Sequence, residues 1–264
     1  KASGGLPFVF LFGLVSCAAA APWGYASWRQ LDAAPSAALW GAIVASGLLH
    51  VVYSLVLQQG YRAADFSIVY PLARGTGPLF SVCGAVLLLG EAPTAAAWLG
   101  VAAIVGGIFL IAAAPAALLH GRRTGAGLFW GLLTGLFIAS YTVVDGWAIK
   151  TLAAPPLFYY AAGLAVRTVL LAPFALRAPA ALARTWRCDR LPVLGVGLLS
   201  PLAYSLVLLA LTRAPLSHVA PVRELAMLAG VLIGARLLRE SLSPQRLAGC
   251  ACMVAGAVLL VVAP

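Results

Sequence analysis

Acidic side chains are almost missing from this sequence. Seven Asp and Glu stand among 264 residues, and the four charged residue types together make up only 9%. A soluble domain carries about 25% charged residues, so the shortage excludes one. Histidine is down to three and cysteine to five, and neither falls at the spacing of a metal site. Cys17, Cys83, Cys250 and Cys252 lie in apolar stretches, where a thiol serves as a small packing residue. Cys188 falls in a loop, and no disulfide is expected. No zinc pattern and no nucleophile–base pair occurs, and Gly75-Thr76-Gly77 is too short and too deep in an apolar run to cradle phosphate. The expectation is therefore no enzyme, no metal and no cofactor.

What fills the chain instead is hydrophobic: 63% of residues, with a mean hydropathy of +1.01. A membrane span needs about 20 apolar residues. Nine such runs can be placed, near 7–28, 37–59, 66–89, 95–114, 127–149, 156–176, 192–211, 216–238 and 245–263. Short polar links join them and leave no room for a soluble domain. Lipid cannot satisfy backbone polar groups, so each run must form a helix, and the alternating pattern of a barrel is absent. The fold class is an all-α integral membrane protein. The net charge of +10 would suggest nucleic acid in a soluble protein. Here the arginines flank apolar runs and face lipid headgroups, so the partner is the bilayer and not nucleic acid.

The two halves repeat each other. "GEAPTAAAWLGVAAIVGG" (90–107) aligns with "RESLSPQRLAGCACMVAG" (239–256), so that Glu91, Gly100 and Gly107 fall on Glu240, Gly249 and Gly256. Lys1 and Pro7 fall on Lys150 and Pro156, Pro71 on Pro221, and Tyr53-Ser54-Leu55-Val56-Leu57 on Tyr204-Ser205-Leu206-Val207-Leu208. Ordered matches along both halves indicate a duplication. The first repeat covers 1–114, a loop covers 115–126, and the second repeat covers 127–264. The second copy opens with an additional span, 127–149, whose counterpart would lie before residue 1. The expectation is ten spans natively, five per repeat, with nine in this chain. An odd number of spans inserts the second copy upside down, which gives the inverted pair that many secondary transporters use.

The residues "VYPLARGTGPLFSVCGAVLLLGE", followed by an apolar Gly-rich span, resemble the EamA-type signature of the drug/metabolite transporter superfamily. "LLTGLFIASYTVVDGWAIK" (132–150) resembles the opening span of the second EamA repeat. The resemblance covers essentially the whole chain. It implies ten helices in two inverted five-helix repeats, and carriage of small metabolites, often as export. It does not supply a substrate.

Ionisable groups inside a span face a cavity or a partner as a rule. Arg74, Arg167, Arg223 and Glu224 are central by depth, and Asp145 lies nearer an end. Arg74 and Glu224 are equivalent at the Pro71/Pro221 offset, so the repeats aim opposite charges from matching helices. Pro71 and Gly75 are expected to loosen the helix beside Arg74. A purely structural ion pair with Glu224 or Asp145 is the rival reading of Arg74. Neighbouring residues on a helix point about 100° apart, so Glu224, and not Arg223, is expected to face the cavity and to be the ion-coupling candidate. For Arg167, a place in the site and a side chain that snorkels to an interface are equal readings. Tyr53, Tyr70, Tyr141 and Tyr204, with His50, complete a pocket suited to a zwitterion or organic cation. For any one tyrosine, a hydroxyl bonding a neighbouring helix is an equal reading. Gly127, Gly131 and Gly135, and Ala226, Gly230 and Gly234, form small-residue stripes read as helix-packing surfaces.

Orientation has two readings. Arg62, Arg122, Arg123, Arg177, Arg184, Arg187, Arg190 and Arg239 gather on the Lys1 side, which places that side in the cytoplasm; the family resemblance implies the reverse. The function expected is a secondary active transporter in the cell (inner) membrane. It would move an amino acid or related zwitterion, as export, by alternating access, with H+ or Na+ as a coupling ion. A carrier of phosphorylated or anionic metabolites is the first alternative, and a non-transporting membrane partner protein the second.

Overall fold

The computed structural model describes residues 5–31, 33–112, 124–237 and 243–262. Lys1, Arg122, Arg123, Arg239 and Glu240 lie outside them, as does most of the 115–126 loop. The described chain runs α1 (Leu6–Trp28), α2 (Ala37–Ala63), α3 (Phe66–Leu89), α4 (Ala95–Ile111), α5 (Thr124–Lys150), α6 (Pro156–Ala175), α7 (Pro179–Leu211) and α8 (Leu216–Val222). A 3₁₀ turn (Arg223–Leu225), α9 (Ala226–Leu237) and α10 (Pro244–Val262) follow. Among the described residues, eight helical segments are long and apolar enough to cross a membrane, counting α8 through α9 as one. α4, at 17 residues, is at the short end of the spanning range. The nine expected runs thus correspond to nine helical passes. Large side chains left bare, such as Leu87, Val169, Leu191 and Val261, are what a surface facing acyl chains requires.

Two compact units divide the chain: Lys1–Val52 with Val144–Arg213, and Tyr53–Val143 with Ala214–Pro264. Each draws on both halves of the sequence, and α2 and α5 contribute to both.

In the first unit, α1 packs against α6 and α7. Small residues permit the approach: a Cβ on Gly197 would meet the Val15 side chain at 2.6 Å. Ser16 Oγ donates to the Gly197 carbonyl at 2.9 Å. Phe10, Leu171 and Ala175 form a buried cluster with Leu182 against it.

In the second unit, α4 lies along α10, and the residues that reveal the repeat are the ones in contact. A Cβ on Gly107 would stand 2.6 Å from the Gly249 carbonyl oxygen, and one on Gly256 2.6 Å from that of Gly100. No side chain fits there, so the backbones themselves touch. Val101, Ile104, Ile108, Met253 and Leu260 fill the seam around them. The stripe Gly127, Gly131 and Gly135 on α5 likewise receives Ile68, Leu72 and Thr76 of α3. Gly230 differs from the packing surface expected of it: nothing stands within 4 Å of its Cβ direction, because it borders a cavity.

Two further expectations need correction. α3 continues unbroken through Pro71, Gly75 and Pro78. Gly75 serves close packing there, since a Cβ would stand 2.9 Å from the Phe109 ring. The helix changes its winding in the second copy instead, just after Pro221. The stretch around Cys188, expected to be a loop, is the first part of α7.

Candidate functional site

The eight residues singled out from the sequence divide between the units. Arg74, Glu224, Tyr53, Tyr70 and Tyr141 belong to the second, and His50, Asp145 and Tyr204 to the first.

In the second unit α3 carries Arg74 and the 3₁₀ turn after α8 carries Glu224. Arg74 Nη1 donates to Glu224 Oε2 at 3.2 Å, and Arg223 Nε donates to Oε1 of the same carboxylate at 3.2 Å. Arg223 was expected to point away. The tighter 3₁₀ winding and a long flexible side chain bring its guanidinium back onto its neighbour. Glu224 is buried at 2% exposure, whereas the Arg74 side chain keeps 39%. One carboxylate is therefore held by two guanidinium groups, of which Arg74 is the more open.

An aromatic row leads to Arg74. The rings of Tyr61 and Phe66 lie 5.0 Å apart, those of Phe66 and Tyr70 stack at 5.1 Å, and the Arg74 guanidinium lies 5.6 Å from the Tyr70 ring centre. That last contact is a cation–π geometry. Tyr53 and Tyr141 meet edge to face at 5.6 Å. A cavity of about 510 Å³ opens beside Arg74, Glu224 and Tyr70, with Tyr53 and Tyr141 outside its lining, and it is within the range of small-molecule pockets. Phe66, Tyr70, Arg74, Glu224, Met227 and Arg246 are among its lining residues. Its lining thus combines two guanidinium groups, one carboxylate, aromatic faces and apolar wall.

At the turn joining α3 to α4, Gly90 adopts a left-handed conformation (φ 69°). Glu91 follows, and its two carboxylate oxygens accept from the Leu216 and Ser217 backbone amides at 2.7 and 2.9 Å. These are donors that the start of α8 leaves without helical partners. The segment bearing Glu224 is thereby anchored at its entry.

In the first unit, Asp145 is buried at 1% exposure. Tyr159 donates to its Oδ1 at 2.7 Å and Tyr204 to its Oδ2 at 2.5 Å. Tyr159 also reaches the Ala42 carbonyl at 3.4 Å. Three helices, α5, α6 and α7, are tied at one carboxylate. The His50 ring lies edge-on to Tyr204 at 5.6 Å, and its Nδ1 is 2.9 Å from the Ser46 carbonyl oxygen. Ser46, Tyr160 and Arg167 also border this cluster, around a void of about 10 Å³, roughly one water molecule in size. Metabolite-sized space is present at Arg74 and absent here.

Sequence reasoning left out Arg246, Phe66, Tyr159 and Tyr160 as site residues, counted Arg223 as central but turned it from the cavity, and left Arg167 between a site and an interface. Tyr160 and Arg167 could have been found, since a spacing of seven puts both on one helix face. Nothing in the sequence marked the winding change that turns Arg223 onto Glu224. Among the described residues, no group of three His, Cys, Asp or Glu could hold a metal ion.

The EamA-like transporter family model matches the chain over residues 1–113 and 125–262. No curated protein matches it. A solved crystal structure, described only as that of a protein, superposes with a TM-score of 0.75 at 16% identity. The alignment covers 99% of this chain and 91% of that one. At that identity the likeness speaks for the fold alone.

Proposed function

Because this chain belongs to the EamA-like transporter family, whose members are membrane transporters, we propose that it carries a small zwitterionic metabolite of the amino-acid class. Export across the cell (inner) membrane by alternating access is the direction and mode we assign. The observation carrying this reading is the Arg74–Glu224 pair on the wall of the 510 Å³ cavity. A zwitterion offers each partner a replacement: its carboxylate to Arg74, its ammonium to Glu224. Desolvated ions are costly unless paired, and this exchange keeps both paired. Glu224 retains Arg223 throughout, so release of Arg74 does not strand a bare buried carboxylate. The Tyr70 ring lies 5.6 Å from the Arg74 guanidinium and gives it a cation–π partner. Without cargo, Glu224 Oε2 is the oxygen at which a coupling H+ or Na+ would take the place of Arg74.

A second reading rests on the cavity's charge, since among the described residues Arg74 and Arg246 line it with one carboxylate, that of Glu224. That balance favours an anionic or phosphorylated cargo. Counterflow in proteoliposomes separates the two. Exchange of labelled amino acids, blocked by amino acids and not by phosphate esters, supports the zwitterion; the opposite competition pattern replaces it with the anion.

A further inference from the structure

α7 is too long for its span. Its 33 residues would extend roughly 50 Å, against a hydrocarbon thickness of about 30 Å. The excess sits at its start, and there the backbone leaves helical geometry once, at Asp189 (φ −120°, ψ 23°). Beyond that kink, about 22 residues from Arg190 to Leu211 suffice for the membrane. Before it, Pro179–Cys188 forms a separate helical arm.

The arm is two-faced. Leu182 packs against the Phe10, Leu171 and Ala175 cluster, and Thr185 is buried at 4%. Arg184 and Arg187, three positions apart and so neighbours on the helix surface, are exposed on the other side, with Cys188 one turn beyond Arg184. Arg177 precedes the arm, with its guanidinium 5.6 Å from the ring centre of Phe174, which is 57% exposed. Arg190 follows the kink and is exposed, and Trp186 on the flank is 43% exposed. Four arginines and one acid, Asp189, thus stand within fourteen residues, beside a tryptophan of the kind that settles at headgroup level.

We infer that Pro179–Cys188 is an interfacial arm that binds anionic phospholipid headgroups through Arg184 and Arg187, flanked by Arg177 and Arg190. Three features select a bilayer as the occupant. The arm begins where α6, a span, ends. Its inner face is already covered by the protein's own core. Its outer face carries a concentration of one charge sign next to exposed Trp186 and Phe174, matching a surface anionic at headgroup depth and apolar beneath. The inference is independent of the cargo.

The test labels Cys188 with bimane in the full protein, with Cys17, Cys83, Cys250 and Cys252 replaced by Ala, in lipid nanodiscs. Passing from phosphatidylcholine to discs containing about one third phosphatidylglycerol should shift emission to shorter wavelength. Raising salt from about 0.05 to about 0.5 M should reverse most of that shift, because screening shortens the reach of headgroup charge. Arg184→Gln/Arg187→Gln should lose at least about half of it. Arg184→Lys/Arg187→Lys should restore it, which a packing role for the arginines would not allow. Emission that ignores phosphatidylglycerol overturns the inference. So does a label that responds to soluble polyglutamate but not to lipid, which would make the arm a dock for an acidic protein.

Discussion

Arg74 and Glu224 stand 150 positions apart in sequence and 3.2 Å apart in space. They occupy matching places in the two repeats, so a duplication that copied one helix has diverged to place opposite charges against each other. One is nearly sealed from solvent and the other remains open to a cavity. An ion pair with one open partner can be exchanged for cargo, whereas one sealed on both sides would only brace the fold.

Removing either partner should stop transport without unfolding the protein. Arg74→Ala leaves Glu224 its contact with Arg223, and Glu224→Gln keeps one amide oxygen to accept from one guanidinium group, while the part-exposed Arg74 is free to turn from the amide nitrogen to the cavity. A charge-assisted hydrogen bond contributes about 1.5–3 kcal/mol, so uptake in proteoliposomes should fall by about 10- to 100-fold in each variant. Gel filtration should show both monodisperse. The double variant should be scarcely worse than either single one, because the residues act as a unit.

Asp145 should behave as a brace. Asp145→Ala removes the acceptor of the two short bonds from the Tyr159 and Tyr204 hydroxyls and leaves Tyr159 only its longer reach to the Ala42 carbonyl, a loss of about 1–3 kcal/mol for each weakened buried donor. Thermal unfolding in detergent should show a clear fall in Tm. Tyr204→Phe removes one donor and leaves Asp145 its bond from Tyr159, so its fall should be smaller. Equal Tm values for Asp145→Ala and the native protein would rule out the brace.

Glu91 should matter for the segment that carries Glu224. Glu91→Ala exposes two amide donors at the start of α8, with a loss of about 0.5–2 kcal/mol as for other helix caps. Glu91→Gln retains one acceptor oxygen and should lose less. Hydrogen exchange at Leu216 and Ser217 reads this directly, and unchanged exchange rates in Glu91→Ala would contradict it.

The α4–α10 seam should tolerate no side chain. Gly107→Val or Gly249→Val drives carbons into backbone carbonyls lying 2.6–2.8 Å from the added Cβ position. Overpacking of this kind costs about 1–3 kcal/mol or more, and folded yield should drop sharply. Gly106, which has nothing within 4 Å of its Cβ direction, should accept Ala at little cost.

Much of this was legible in the sequence. Hydropathy located the helical passes because lipid admits few other structures. The repeat aligned Gly100 and Gly107 with Gly249 and Gly256, though it did not say that these glycines touch each other. Depth within a span picked out Arg74, Arg167, Arg223 and Glu224, with Asp145 nearer an end, since burying a charge in an apolar run needs a reason. What escaped was local geometry. Pro71 reads as a helix breaker but α3 absorbs it, whereas winding changes after the equivalent Pro221 and redirects Arg223. His50 and Tyr53 share a helix face by spacing, yet their rings meet different partners, Tyr204 and Tyr141. Periodicity locates a face and cannot name its neighbour.

The central claim is that Arg74 and Glu224 read the two charges of a zwitterion. The most direct measurement is counterflow of one labelled amino acid against its decarboxylated and deaminated analogues, with native protein, Arg74→Ala and Glu224→Gln side by side. The account predicts that only the intact amino acid exchanges with native protein, and that both variants fall silent while remaining folded. Full exchange by folded Arg74→Ala and Glu224→Gln would contradict it, and would leave the pair as a structural contact.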